Sequence, residues 1–257
     1  THTLEELTGV PFDESRLSHL LKVERETNAL AWEFVHLQAE HFYPAEFIHH
    51  LFFVLAMQLS AGSEELRDLL RFMVDDIKRA PRLQGDKILW VHLMPYYQQS
   101  LKAAFDYSPA HQIVAVDMAF CTMSDLADAD PFRALAKKLI GNAMNGPYER
   151  KLALVDRLLD ATHADGVIHF CHWGCKQSAG GSALLREHLH EAGVPLLQLD
   201  GDGIDERNSH DGQIKTRLEA FFEVLEAKRA EGDAQGGTAN GKYAAQSGSV
   251  EAKGGAQ

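Results

Sequence analysis

Cysteine and proline are scarce in this 257-residue chain, which has three of the first and eight of the second. An odd cysteine count with no secretion pattern argues against a disulfide framework and leaves thiols for metal or redox chemistry. Positive charge is also in deficit: 25 Lys and Arg stand against 37 Asp and Glu, a formal net charge of −12. The basic residues are scattered among acidic ones, so neither nucleic acid nor an anionic membrane surface is an expected partner. No apolar run approaches the roughly 20 residues of a membrane helix. The most apolar stretch, Phe47–Leu59, is shorter and carries His49, His50 and Gln58. Residues 1–6 lack the basic-then-apolar pattern of a signal peptide, so a cytoplasmic protein is expected.

What remains is the composition of a globular domain. Hydrophobic residues make up 45% of the chain and charged ones 24%, enough to bury a sizeable core. The fourteen histidines fall mostly singly on helical stretches, where a solvated or core-edge role is the ordinary one.

Residues 1–84 read as a helical region. Pro11 and Asp13 open an amphipathic run with Leu17, Leu20, Leu21 and Leu30 near helical spacing; Pro44 starts a second helix; Ser63 is placed to cap a third, with Glu64 and Glu65 complementing its dipole. From residue 85 the pattern changes. Short apolar runs at 88–93, 113–116, 167–170 and 196–199 alternate with helical stretches around Leu101, Phe132, Arg150 and Ala192, and a last helix carries Ile214, Leu218, Phe221 and Leu225. This alternation predicts an α/β domain over 85–230, a doubly wound, flavodoxin- or Rossmann-like parallel sheet of about four strands. Residues 231–257, mostly Gly, Ala, Gln and Ser, are expected to form a disordered tail.

In an open parallel sheet ligands bind outside the carboxyl ends of the strands. That rule selects residues 94–97, 117–124, 171–181 and 200–207, and all three cysteines fall among them: Cys121, Cys171 and Cys175. The string His169-Phe170-Cys171-His172-Trp173-Gly174-Cys175 gathers soft ligands at the end of one run, where thiolates select zinc, copper(I) or iron–sulfur. Its C-x-x-x-C spacing differs from that of a dithiol redox switch. Each cysteine also has a plain reading as a small buried hydrophobe.

Beyond Cys175 the string Lys176-Gln177-Ser178-Ala179-Gly180-Gly181-Ser182 leads into a helix. Small residues there would let an anion, sulfide or phosphate approach exposed backbone N–H groups, making Ser178, Gly180 and Gly181 candidate cofactor contacts. The plainer reading is a helix start capped by Ser178 or Ser182. In the acidic loop Asp200-Gly201-Asp202-Gly203, turn formation competes with a role for Asp200 or Asp202 as acid, base or acceptor. It lacks the bidentate Glu of a calcium loop, and Asn208 or Ser209 would cap the last helix.

Three strings carry a resemblance. His172-Trp173-Gly174-Cys175-Lys176-Gln177-Ser178, Leu199-Asp200-Gly201-Asp202, and the stretch from Gly212 to Phe221 resemble the 2-hydroxyacyl-CoA dehydratase and benzoyl-CoA reductase family; the first looks most like its smaller, β-type dehydratase subunits. The opening Leu4-Glu5-Glu6-Leu7-Thr8-Gly9 extends the likeness, which covers about residues 3–229 and leaves the family's N-terminal α/β domain unrepresented. The resemblance implies a lyase, active as part of a heterodimer with a second homologous subunit. It removes water from a 2-hydroxyacyl-CoA through a ketyl radical, after an ATP-dependent iron–sulfur activator supplies one low-potential electron. It also implies a [4Fe–4S] cluster, completed by a missing domain or partner chain. Cys175 matches the family's C-terminal cluster ligand, Cys171 is second choice, and Cys121, in Phe120-Cys121-Thr122, is the weakest candidate. Alternative readings are benzoyl-CoA reductase-type ring reduction and a non-catalytic metal- or cluster-binding electron relay.

Overall fold

The computed structural model describes residues 1–208 and 210–234. Four helices come first: α1 (His2–Thr8), α2 (Glu14–Gln38), α3 (Phe47–Leu59) and α4 (Glu64–Ile77). Their starts follow local chemistry. Asp13 caps α2 by accepting the Arg16 N–H, and Ser63 caps α4 by accepting that of Leu66. Glu46 and His49 form a reciprocal capping box on α3, satisfying donors that the first turn cannot bond internally.

Next come β1 (Asp86–Val91), α5 (Gln99–Phe105), β2 (His111–Val116), α6 (Pro131–Gly141), α7 (Glu149–Thr162), β3 (Gly166–His172), α8 (Lys176–Glu191), β4 (Leu196–Gly201) and α9 (Asp211–Ala234). All strand pairs are parallel, in the order β2-β1-β3-β4. The α/β expectation and its four strands are therefore seen, each strand within two or three residues of its apolar run.

Two details differ from the reading of the sequence. Helix α9 continues through Ala234, so residues 231–234 are helical; the remainder of the expected tail, and Ser209 as a cap, lie outside the described residues. The helical region is also not separate from the sheet. Ala31, Val35, Phe47, Val54, Met57, Leu66 and Leu70 belong to the same buried core as Ile88, Trp90 and Phe170. Patterning locates helices, but which surface their apolar stripes cover is a tertiary choice.

Register assigns the faces. Side chains alternate along a strand, and a Cβ on Gly166 would meet Phe221 and Leu225 of α9. Ile168 and Phe170 therefore share the α9 side with their register partners Leu197 and Leu199. His169 and Cys171 point the other way, beside Gln198 and Asp200, towards α7 and α8. Strand order reverses between β1 and β3: the chain leaves β1 for β2 on one side, and β3 lies on the other. A crevice opens at such a switch point, outside the carboxyl ends of the strands.

Candidate functional site

Three chain turns meet at that crevice. After β1, His92 takes a left-handed backbone (φ 78), a costly conformation for a residue other than glycine that surrounding contacts must hold. The hold is visible: the His92 N–H donates to Asp117 Oδ1 at 2.7 Å. After β3, residues 173 and 174 turn into α8. After β4, the acidic loop is pinned to the β1 turn by Tyr97, whose hydroxyl donates to the Asp202 carbonyl. Gly203 is needed there, because a Cβ would lie 2.4 Å from Leu93 Cδ2, and its N–H donates to His172 Nδ1 at 3.0 Å. Tyr96, Trp173 and Ile204 are exposed around the rim.

The thiols separate into two places. Cys171 is buried at the end of β3; burial first, and the Asp200 carboxylate beside it second, push its thiol above the ordinary value. Cys175, partly exposed, is the N-cap residue of α8. Cys121 stands apart, just beyond β2. Its thiol donates to the Met118 carbonyl at 3.2 Å, and burial pushes it up to about 11, so it stays protonated. Among the described residues no three His, Cys, Asp or Glu side chains converge to hold a metal. The chemistry of Cys171 and Cys175 suits a soft metal, yet two thiols do not complete the ligand set of a [4Fe–4S] cluster. The remainder would have to come from outside these residues.

Helix α8 begins at Lys176, earlier than its sequence suggests, and this corrects the glycine reading. Cys175, not Ser178 or Ser182, is the N-cap residue. Ser178 is buried and donates to the carbonyls of His172 and Cys175 at 3.4 and 3.3 Å, tying the turn together. Gly180 and Gly181 lie past the first turn, where N–H groups bond within the helix; they do not offer free donors to an anion. Gly181 has a different purpose: a Cβ there would fall 1.8 Å from the Tyr148 ring. At Gly181 the ring takes the space a side chain would need, whereas a Cβ on Gly180 would meet nothing within 4 Å.

The acidic loop proves to be a turn. Asp202 Oδ1 accepts from Ile204 N–H at 2.9 Å and Asp205 N–H at 3.1 Å, and Oδ2 accepts from Asn208. The Asn208 amide first and these N–H groups next hold its carboxyl down to about 2, which suits a fixed anion rather than a proton donor. Asn208 thus serves this turn, ending a short 3₁₀ segment, rather than starting α9. Asp200 accepts from Gln198 at 3.1 Å and faces Arg217.

A second group was only partly reached by sequence reasoning, which selected residues 117–124 and the string from His169 but missed His92, Tyr148 and Lys151. Asp117, fully buried, pairs with Lys151 of α7, itself 1% exposed. His92 and His169 are buried beside the pair, and burial lowers each to about 4, so both are neutral imidazoles at neutral pH. The Tyr148 hydroxyl lies in the same electrostatic neighbourhood as Asp117 and Cys171, and burial pushes it up to about 12. Lys151 sits in an amphipathic helix where lysine normally reads as solvated surface. Of that pair, only the Asp at the end of an otherwise apolar run offered a signal.

Comparison with known proteins agrees with the resemblance. Residues 1–225 match the family described as 2-hydroxyglutaryl-CoA dehydratase, D-component. The alpha subunit of (R)-phenyllactyl-CoA dehydratase from Clostridium sporogenes is 25% identical over 239 residues, 88% of this chain and 57% of the relative. One of the subunits of benzoyl-CoA reductase from Thauera aromatica is 28% identical over 102 residues, 39% of this chain and 24% of that protein. The chain thus spans little more than half the length of the first relative and about a quarter of the second. The first is named an alpha subunit and the second comes from a reductase, so these names do not choose between larger and smaller dehydratase subunit types. With a match over nearly its whole described length, the chain belongs to the 2-hydroxyglutaryl-CoA dehydratase D-component family.

Proposed function

We propose that this chain is a subunit, or the C-terminal part of one, of a 2-hydroxyacyl-CoA dehydratase: a lyase that removes water from a 2-hydroxyacyl-CoA. The reading rests on one observation, the pair Cys171 and Cys175 at the carboxyl end of β3, beside the switch point and within the matched residues. Cys175 would hold one iron of a [4Fe–4S] cluster, with Cys171 as the alternative ligand. Such a cluster would supply one-electron chemistry, and cysteines from a homologous partner subunit or a further domain would complete it. An ATP-dependent activator would deliver the electron in the cytoplasm.

Other features support the assignment. The N-terminus of α8, where Lys176 is exposed, gives this acidic chain a local place for an anionic ester. The apolar rim of Trp173, Ile204 and Tyr96 would exclude water once covered, as radical chemistry requires. Ring reduction of the benzoyl-CoA reductase type is the second reading, favoured by the match to part of that enzyme. It shares the architecture and differs in keeping the electrons in the product.

The test is anaerobic purification with iron and sulfide analysis and EPR after reduction, for the wild type and Cys175→Ser. The expected result is iron that is lost or degraded in the variant, because serine is a harder ligand, and turnover of a 2-hydroxyacyl-CoA once partner and activator are added. Iron content and visible absorption unchanged in Cys175→Ser would falsify the ligand assignment. Zinc in place of iron, without turnover, would make the chain a metal-binding relay instead.

A further inference from the structure

The turn that carries Cys175 is held by more than its own backbone. The Cys175 N–H donates to the His172 carbonyl at 3.0 Å, and the Trp173 N–H donates to the Gly201 carbonyl at 3.0 Å. Bonds of that kind form with almost any side chain at position 172. The imidazole adds a tie of its own. Its Nδ1 accepts the Gly203 N–H at 3.0 Å, from 31 residues further along the chain. A backbone N–H can only donate, so Nδ1 is the acceptor and the ring proton sits on Nε2.

Two glycines make room around this tie. A Cβ on Gly174 would lie 3.2 Å from His172 Nε2, and one on Gly203 would lie 2.4 Å from Leu93 Cδ2. The Gly203 loop is fixed in its turn. The Tyr97 hydroxyl donates to the Asp202 carbonyl, and Asp202 Oδ1 accepts the N–H groups of Ile204 and Asp205. The ring therefore joins the thiol turn to a loop that is already anchored on the turn after β1. Such support matters for a ligating or reacting thiol, which must be held to within about 0.5 Å.

We infer that His172 is a positioning residue for Cys175: through Nδ1 and the Gly203 N–H its imidazole ties the Cys175 turn to the acidic loop and sets where the thiol stands. The tie belongs to the chain alone. Its consequence for a cluster rests on the reading of Cys175 as a ligand. Groups that orient a metal ligand in this way matter nearly as much as the ligand, and their loss lowers metal affinity about 10–100-fold.

Alkylation of the reduced full chain with iodoacetamide, read by peptide mass spectrometry, tests the tie without metal. In the wild type Cys175 should be the thiol that reacts, since Cys121 and Cys171 are buried. His172→Leu fills much of the ring's space but offers no acceptor. The turn should then open more often and Cys175 should react about tenfold faster, the effect of one ordinary hydrogen bond. His172→Asn, whose amide oxygen stands near the place of Nδ1, should bring the rate back to within about twofold of the wild type. A Leu rate equal to the wild type overturns the inference. So does an Asn rate as fast as that of Leu, which would leave the ring a packing role only. Should His172→Leu fail to fold by circular dichroism, His172→Gln, whose amide reaches the place of Nε2 instead, replaces it with the same two readings. In the complex reconstituted anaerobically with iron and sulfide, wild type and His172→Asn should share one EPR signal after reduction. His172→Leu should broaden that signal and hold iron about 10-fold or more weakly. Identical signals and iron in all three overturn the positioning role. A wild type that takes up no iron would instead overturn the cluster reading, and the alkylation rates would still decide the tie.

Discussion

The two faces of the sheet are built from the same strands and differ at their carboxyl ends. Towards α5 and α9 the strands present Trp90, Ile168, Phe170, Leu197 and Leu199, which meet Phe105, Leu218, Phe221 and Leu225 in one apolar core. Towards α7 and α8 the strand ends present His169, Cys171, Gln198 and Asp200, with Lys151, Tyr148 and Asp117 packed nearby. Apolar burial of about 1.5–3 kcal/mol per large side chain makes the first face a source of stability. The second buries polar groups, each of which costs free energy unless paired. A fold holds such groups only where apolar burial compensates for them, and Leu154 and Leu158 of α7 with Leu185 and Leu189 of α8 belong to the same buried core.

That comparison breaks most directly at its two centres. Phe170→Ala should cost about 3–5 kcal/mol by opening a cavity, and Lys151→Met a similar amount by leaving the Asp117 carboxylate buried and unpaired. The sharper measurement is the double variant Asp117→Leu with Lys151→Met, followed by urea denaturation. It should recover most of the Lys151→Met loss while the Phe170→Ala loss has no such rescue. Equal losses for single and double variants would mean that the pair is a stability element after all.

A smaller effect concerns pH. His92 and His169 are lowered to about 4 in the folded chain, against about 6.5 when unfolded. Below the unfolded value the unfolded chain takes up protons that the native one refuses. The stability from keeping these rings neutral is therefore full above pH about 6.5 and is lost as pH falls to about 4. Urea midpoints followed across that window should drop, and less steeply in His92→Asn; parallel slopes would show that His92 is not held neutral.

Smaller still, Gly181→Ala should cost about 1–3 kcal/mol by overpacking against the Tyr148 ring, with a matching fall in thermal midpoint. Pairing it with Tyr148→Ala should restore part of that loss, and a strictly additive double variant would contradict the contact. Least of all, Ser63→Ala should cost about 1 kcal/mol through the lost cap of α4 and leave iron content and the Cys175 alkylation rate untouched. A change in either would show that the helical region reaches the site.

Local pattern determined much of this protein. Short continuous apolar runs marked four strands, Asp13 and Ser63 marked helix starts, and three strings around Cys175, Asp200 and Gly212 marked the family, because each is written in neighbouring residues. Tertiary structure alone decided the rest. The start of α8 at Lys176 places Gly180 and Gly181 inside the helix, and only packing shows that Gly181 makes room for the Tyr148 ring. The separation of Cys121 from Cys171 and Cys175, and the meeting of Asp117 with Lys151, depend on which strands adjoin and which way each side chain points. Register and packing across long stretches of chain set those distances, and the alternation of residues along one strand carries no trace of them.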